Sequence, residues 1–313
     1  MYCSASEEEV PGWHVRPVEN FGDWKTMTAA IRLWIDSFRG TGGETTLDRT
    51  IARTTLYGLM ETLFDTVTLA GKIFRSIVTP PYSWIPEAIV ESSKVFRLAT
   101  FSVMFGSLVY VLAFGSVLFG QIINELGAGD RVGPGVYLGL LRELGTWLTY
   151  MILAGVAGSA LAAELGARVI REEIAAMDVL GVDKIRTLIV PRFVAIIVAG
   201  LMLSFLVVLV NIAAVVFVNQ FTLGLVPGTQ RESIFLAMNP YDLGAAFVKH
   251  TFLGAFVGLI ACQKGLSASG GGEGVGRAVA QTVLISFFGI WFINSIFNIG
   301  FFSFFPQAIE VRG

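Results

Sequence analysis

Apolar residues gather into five long stretches along the chain, and short polar segments separate them. A helix needs about 20 consecutive apolar residues to cross the hydrocarbon core of a bilayer. The stretches that meet this length lie at residues 98–120, 144–163, 193–219, 242–263 and 279–304. The pattern therefore predicts an all-α integral membrane protein with five transmembrane helices.

A sixth stretch, residues 47–86, is amphipathic rather than uniformly apolar. Its apolar residues recur at helical spacing between charged ones, which is typical of a helix that lies in the membrane interface. These apolar positions are Leu56, Leu59, Met60, Leu63, Phe64 and Val67. The prolines of "TPPYSWIP" at 79–86 are expected to end this interfacial helix.

The first 46 residues are mixed polar and begin with an acidic segment. They lack the basic and apolar regions of a signal peptide. We therefore expect residues 1–46 to form a poorly ordered cytoplasmic tail, residues 47–86 the interfacial helix and residues 87–313 the five-span membrane domain.

A charged segment, "EEIAAMDVLGVDKIR", begins at Glu172 between the second and third apolar stretches. Ile174, Met177 and Leu180 are three residues apart and are predicted to share one helix face, while Gly181 would stop the helix and Asp183 would cap the next one. The segment thus predicts an amphipathic helix of two to three turns. Two interpretations stay open, an ordinary interfacial loop helix and a docking helix for a soluble motor protein.

Positive charge predicts the orientation of the spans, because cytoplasmic loops carry an excess of Lys and Arg. With the N-terminus inside, seventeen Lys and Arg fall on the inner side and four on the outer side, and Lys249 lies within the fourth stretch. We therefore expect a cytoplasmic N-terminus, a C-terminus on the outer side and a cytoplasmic location for the segment that begins at Glu172.

The composition agrees with a membrane protein and excludes several kinds of chemistry. Of 313 residues, 54% are hydrophobic and 15% charged, whereas soluble domains are about 25% charged. Two distant cysteines and two distant histidines provide no disulfide framework, zinc site or catalytic His cluster. The Gly-rich residues 270–278 lack the Lys-Ser/Thr of a phosphate-binding loop, so we interpret them as a flexible turn before the fifth span.

Several polar residues within or beside the spans have two interpretations each. Glu143 forms either a weak interfacial ion pair with Arg142 or part of the rim of a lipid cavity. Lys249 and the adjacent His250 are either functional groups in the fourth span or, for Lys249, a side chain that snorkels to the outer surface. Asn211, Asn294 and Asn298 are expected to form hydrogen bonds between helices, and Asn294 is also a candidate for a cavity wall.

Small residues in two segments predict close helix packing. Gly and Ala recur in "AGVAGSALAAELG" at 154–166, and "GAFVG" at 254–258 contains a pair of small residues four positions apart. Such residues let the backbones of membrane helices approach each other.

The stretch 142–193, which begins "RELGTWLTYMILAGVAGSALAAELG", resembles the signature region of the YrbE/MlaE permease family, the membrane subunits of ABC-type lipid transporters that work with MCE (mammalian cell entry) proteins. The Gly-rich segment 265–284 resembles the family's entry to its last span. The C-terminal "FFPQAIEVRG" resembles the A-type YrbE subunit of actinobacterial mce systems.

This resemblance implies an interfacial N-terminal helix, five spans and a cytoplasmic coupling helix between spans 2 and 3. Ala175 stands where the family commonly has Asp. The resemblance implies that a lipid cavity includes Glu143, and Trp147 and Asn294 are further candidates for it. The residues implied to contact an ATPase are Glu172, Glu173, Ile174, Met177, Asp178, Leu180, Gly181 and Val182.

The resemblance also implies the partners. They are a homologous B-type YrbE permease subunit, a cytoplasmic ABC ATPase dimer that would bind ATP and Mg²⁺, and a hexameric MCE assembly on the outer side. The chain itself would hold no cofactor and catalyse no reaction. It would move fatty acid, sterol or phospholipid between the cell envelope and the inner membrane, in the direction of import. The alternatives are a secondary transporter or channel that needs no ATPase, and a structural membrane anchor for a larger complex.

Overall fold

The structure is a computed structural model that describes residues 55–304, excepting the side chains of residues 55–61 and Phe302. The predicted tail 1–46, the first residues of the predicted interfacial helix and the C-terminal "FPQAIEVRG" lie outside the described residues. Within the described range the fold consists of helices and contains no strand. The chain from residue 62 onward forms one compact unit.

Eight helical elements are defined here in chain order. The first is α1, which corresponds to the predicted interfacial helix, and α4 corresponds to the short charged helix. They are α1 (Thr55–Val78), α2 (Ile85–Glu125), α3 (Gly129–Ile170), α4 (Glu173–Val179), α5 (Ile185–Thr222), α6 (Pro227–Ala237), α7 (Pro240–Leu266) and α8 (Gly271–Phe304).

Five of these helices are long and apolar enough to cross a membrane, namely α2, α3, α5, α7 and α8. This confirms the predicted all-α membrane fold with five spans. The helices extend beyond the predicted apolar stretches: α2 contains 41 residues, about 60 Å at 1.5 Å per residue, against a hydrocarbon core of about 30 Å. Hydropathy detects only the part of a helix that contacts hydrocarbon, and α2 continues through the charged residues Glu87, Glu91 and Lys94.

Helix α1 ends at Val78, just before the Pro80–Pro81 pair, as the sequence predicted. Its described side chains divide into two faces. Leu69 and Ile73 are buried in the core, whereas Val67 and Phe74 are about 70% exposed. An exposed apolar face of this kind suits a helix in the membrane interface, and that location stays a prediction.

Helix α5 lies at the centre of the bundle, against α2 on one side and α7 on the other, and α7 and α8 both pack on α3. Glycines allow these close approaches. A Cβ atom on Gly254 would lie 3.0 Å from the Cα of Ile197, and one on Gly265 would lie 3.0 Å from the carbonyl oxygen of Ala162. The predicted packing role of segment 254–258 is confirmed, because Gly258 likewise faces Phe193 of α5.

The sequence pattern did not predict α6, the short helix between α5 and α7. It begins with Pro227 in its first turn, where the missing N–H of proline costs nothing. Its Gln230 is 2% exposed and accepts a hydrogen bond from Asn219 of α5 at 3.1 Å. Because α4 precedes the start of α5 and α6 follows its end, α6 lies at the opposite end of the bundle from α4.

Candidate functional site

The short helix α4 is held between two sharp turns. Before it, Glu172 adopts a φ of 60° in the left-handed region. After it, Gly181 has a φ of 70°, and the amide of Val182 donates to the carbonyl of Met177 at 3.0 Å. This 6→1 bond to a carbonyl in the last turn is a Schellman motif, for which glycine is favoured. The predicted helix stop at Gly181 is confirmed.

The three residues predicted to share one face of α4 are separated in the structure. Ile174 is 8% exposed and belongs to the main hydrophobic core, and Met177 packs against it half-buried. Leu180 follows the last helical residue and is 77% exposed. The expectation of a common face is wrong. The Leu180 amide still bonds to the carbonyl of Ala176 at 3.0 Å, but at 3.6 residues per turn Leu180 lies about 120° around the helix from Ile174. The accessible apolar residues here are Val179, Leu180 and Val182, which we call the α4 tip.

Ion pairs fix α4 to the two spans that it joins. Glu164 at the end of α3 binds Arg192 of α5 at 2.8 Å and Arg168 at 3.0 Å. Arg168 and Arg171 both approach Glu173, the first residue of α4, at 3.4 and 2.8 Å. Glu164 thus joins the end of α3 to α5, and Arg168 joins it to the start of α4.

On the other side of α4, Asp178 is paired with Lys184 at 2.6 Å. Asp183 accepts hydrogen bonds from the amides of Ile185 and Arg186 at 3.0 and 3.2 Å, so it caps α5 as predicted. The amide groups at a helix start have no partner within the helix, and a carboxylate satisfies them. The α4 tip is therefore an exposed apolar surface on a rigid support.

A second group of polar residues lies at the far side of the bundle, where α3, α7 and α8 meet. Arg142 of α3 binds Asp242 of α7 through two bonds of 3.1 and 2.8 Å. Lys249 of α7 donates to the carbonyl of Arg142 and, at 3.2 Å, to the side-chain oxygen of Asn298 of α8. Glu143 accepts hydrogen bonds from Asn294, at 2.6 Å, and from Asn298. These six residues are called the α3–α7–α8 cluster.

Two alternatives from the sequence are resolved by this cluster. Arg142 pairs with Asp242 rather than with its neighbour Glu143, so the ion-pair interpretation of Glu143 is wrong. Lys249 is 2% exposed and bonded on both sides, so it does not snorkel to the surface. Asp242, which is 3% exposed, was not identified from the sequence. Its position in the first turn of a span was the one sequence feature that could have indicated a buried ion pair.

The backbone of Arg142 and Glu143 is not a regular α-helix. Both lie in a π-helical turn, Leu140–Leu144, within α3. Such single turns are frequent at functional sites, because the extra residue per turn changes the direction of the side chains that follow. Here it allows adjacent residues to bond to different helices, Arg142 to α7 and Glu143 to α8.

Of the predicted cavity residues, Glu143 and Asn294 are in direct contact. Trp147, one turn after Glu143, stacks on Trp291 of α8 with ring centroids 5.2 Å apart. Asn294 is 2% exposed and its carbonyl oxygen has no donor among the described residues. Glu143 remains exposed although both carboxylate oxygens are bonded. Glu143, Trp147 and Trp291 thus lie on one α3–α8 surface that is aromatic and carries one carboxylate, and Asn294 is buried beneath it. The role of this surface as a lipid cavity stays a prediction.

His250, which follows Lys249, is a core residue with both ring nitrogens occupied. Thr146 and Ser204 lie 3.0 and 2.9 Å from its Nε2 and Nδ1. Its ring is 1% exposed and lies beside Tyr150. Elsewhere, Asn211 donates to Ser107 of α2 at 3.1 Å, which confirms the predicted bond between helices. Among residues 55–304, no three His, Cys, Asp or Glu side chains converge as a metal site.

An apolar cavity of about 530 Å³ lies between the first half of α2 and the first half of α5. None of the predicted site residues lines it. Its walls include Trp84, Ile89, Phe96, Val198 and Met202.

Comparison with known proteins points to a transport family. The family described as Permease MlaE matches residues 88–299. A similar protein is TRIGALACTOSYLDIACYLGLYCEROL 1, chloroplastic, of Arabidopsis thaliana, 32% identical over 177 residues, which are 56% of this chain and 51% of that protein.

Two bacterial relatives have comparable similarity. A probable ABC transporter permease protein of Synechocystis sp. is 33% identical over 171 residues, covering 54% of this chain and 64% of the relative. One of Rickettsia bellii is 30% identical over 151 residues, covering 48% and 58%. The matches thus span between a half and two thirds of the length of these relatives.

Proposed function

Because the chain belongs to the MlaE permease family, which matches residues 88–299, we propose that it is the permease subunit of an ATP-driven lipid transporter that works with MCE proteins. It is a multi-pass membrane protein, and we place it in the inner membrane with a cytoplasmic N-terminus. The C-terminal sequence resembles the A-type subunit of actinobacterial mce systems, so its permease partner would be the B-type subunit.

The observation that carries this proposal is the α4 tip. Val179 and Leu180 are 88% and 77% exposed, on a segment that ion pairs join to both α3 and α5. Exposed apolar side chains on a rigid polar support are typical of a protein contact surface. An ATPase dimer, which would bind ATP and Mg²⁺, docks there and moves the two spans.

The cargo would travel along the α3–α8 surface. Helix α8 has little of its surface buried within this chain, and its exposed residues include Phe288, Trp291 and Phe292. A second permease subunit facing α8 would enclose a cavity next to Glu143, Trp147 and Asn294. Apolar walls of this kind suit fatty acid, sterol or phospholipid, and the name of the Arabidopsis relative contains a galactolipid. A hexameric MCE assembly would deliver the lipid from outside for import.

The experiment that tests this function is co-purification of the complex after Leu180→Asp. A carboxylate in the apolar contact loses its hydration, so the ATPase is expected to dissociate while the second permease subunit and the MCE proteins remain bound. Leu126→Asp is the matched control, because Leu126 is 78% exposed at the other end of the bundle. Retention of the ATPase by Leu180→Asp, or its equal loss from Leu126→Asp, would refute docking at the α4 tip.

One observation favours a second candidate, an ion-coupled carrier. The α3–α7–α8 cluster places two cations and two carboxylates inside transmembrane helices, and charged groups in such helices often mark ion pathways. Lipid movement in vesicles that contain a proton gradient but no ATPase would support the carrier. Movement that requires the ATPase and ATP supports the permease.

A further inference from the structure

The end of the interfacial helix α1 is bonded to the start of α5 through one side chain, Arg186. Its Nη2 donates to the carbonyl oxygen of Thr79 at 3.3 Å and to the hydroxyl of Thr79 at 3.0 Å. Its Nε donates to the hydroxyl of Ser76 at 3.4 Å. The two partners are separated from Arg186 by 110 and 107 residues in the sequence.

This contact has a clear electrostatic basis. The last carbonyl groups of a helix have no amide partners within the helix and carry partial negative charge. The Thr79 hydroxyl donates its own proton to the carbonyl of Arg75 at 2.7 Å, so its oxygen is free to accept from Arg186. The planar guanidinium reaches the carbonyl and both hydroxyls at once, which the single ammonium of a lysine does less well.

Arg186 is also fixed to the α4 side. Its backbone amide is bonded to Asp183, three residues before it. Asp183 directly precedes Lys184, which pairs with Asp178 of α4 at 2.6 Å. The guanidinium that holds α1 therefore belongs to the same short segment that holds the C-terminal end of α4.

Apolar packing reinforces this connection. Ile73 of α1 is 1% exposed and belongs to the same core cluster as Ile174 of α4 and Ile189 of α5. Buried contacts between side chains at interior packing density transmit displacement, because the interior has low compressibility. This packing keeps α1 against the core shared with α4 and α5, and the Arg186 bonds fix the end of α1 to α5.

We propose that the C-terminal half of α1, residues 69–79, is a second element of the drive, and that Arg186 is the positioning residue that connects it to α4. This rests on the proposed function. When the ATPase displaces the α4 tip, α1 moves with α4 and α5 instead of remaining in the membrane interface. Because α2 follows α1 after the turn at residues 79–84, the displacement also reaches the first span.

Hydrogen exchange on the complete transporter tests the connection without measuring transport. In the wild type, ATP binding is expected to change amide exchange in both α4 and residues 69–79. In Arg186→Ala the change should persist in α4 and disappear from residues 69–79. Persistence in residues 69–79 of Arg186→Ala, or an unchanged α1 in a wild type whose α4 responds, would overturn the proposal. If neither segment responds in the wild type, the proposed function fails instead.

A second measurement is the amount of lipid moved per ATP hydrolysed in vesicles. Arg186→Ala should lower this ratio at least about fivefold, the lower limit of a typical coupling between sites, while the complex stays assembled and hydrolyses ATP. Arg186→Lys should recover part of the ratio. Arg75→Ala is the matched control. It also removes a guanidinium at this end of α1, but the Arg75 side chain makes no bond to α5 among the described contacts. An equal loss in both alanine variants would overturn the role of Arg186.

Discussion

Asn294 donates a hydrogen bond of 2.6 Å to the carboxylate of Glu143, across 151 residues of sequence. Asn298, one turn further along α8, donates to the other carboxylate oxygen. Hydrogen bonds to an ionised group are shorter and about twice as strong as neutral ones. Glu143 therefore fixes the last span against the second span. It also remains partly exposed, one turn before Trp147.

Glu143→Ala should destabilise the protein. It removes two charge-assisted bonds and leaves the amide of Asn294, 2% exposed, without its acceptor. We expect the free energy of unfolding in detergent to fall by about 2–3 kcal/mol. Glu125→Ala is the control, because Glu125 is exposed at the end of α2. Equal stability of the two variants would show that the bonds to Glu143 contribute nothing.

Arg142 and Asp242 should show a large coupling energy in a double-mutant cycle. Asp242 is almost fully buried, and Asp242→Ala leaves the guanidinium without its carboxylate; breaking such a pair costs about 3–5 kcal/mol. Arg142→Met alone should also destabilise, and the double variant should lose less than the sum of both. Unfolding in detergent measures all three.

The exposed pair Arg131–Asp130 provides the comparison for that cycle. Its side chains are 63% and 74% exposed at a distance of 3.5 Å, so its coupling energy should be about 1 kcal/mol or less. Equal coupling in the two pairs would mean that burial does not strengthen the Arg142–Asp242 interaction.

The five spans followed from the sequence because apolar length is a local property. Helix ends did not: α2 begins at Ile85, thirteen residues before the apolar stretch at Leu98. Polar residues with good helix propensity extend the helix beyond its apolar stretch, and hydropathy does not detect that extension. In α4 the three-residue spacing suggested that Leu180 belongs to the Ile174 face, but two such steps carry Leu180 about 120° around the helix from Ile174.

The α3–α7–α8 cluster shows a different limit. The sequence identified Glu143, Lys249 and Asn298 one by one, but their partners depend on the register between helices whose bonded residues are at least 49 positions apart. That register is affected by the π-helical turn Leu140–Leu144, which leaves no recognisable pattern in the sequence. The glycines at helix contacts were easier to predict from the sequence, because two backbones approach closely only at small residues, whatever the register.

Two glycines in transmembrane helices should respond in opposite ways to alanine. A Cβ atom on Gly265 would lie 2.8 Å from Leu165 and 3.0 Å from the backbone oxygen of Ala162, so Gly265→Ala forces α3 and α7 apart and should cost about 1–3 kcal/mol. Gly276 of α8 has no atom within 4 Å of that position. Gly276→Ala should stabilise by about 0.5–1 kcal/mol through helix propensity. Thermal unfolding in detergent compares them, and destabilisation by Gly276→Ala would contradict the open environment.

The orientation of the bundle is tested by labelling two single cysteines in intact cells. Val179→Cys lies at the α4 tip and Leu126→Cys at the opposite end of the bundle, 88% and 78% exposed in the parent protein. Cys3 and the buried Cys262 are replaced by alanine in both variants. The predicted topology assigns seventeen Lys and Arg to the α4 side and four to the other side, so the positive-inside rule predicts a cytoplasmic location for α4.

A membrane-impermeant maleimide should therefore label Leu126→Cys in intact cells and leave Val179→Cys unlabelled until the membrane is opened. Permeabilised cells are the control for reactivity, since both sites should then react at similar rates. Labelling of Val179→Cys from outside would put the α4 tip beyond the reach of a cytoplasmic ATPase. The exposed apolar residues Val179 and Leu180 would then require an extracytoplasmic partner, and ATP hydrolysis could not act on α3 and α5 through them.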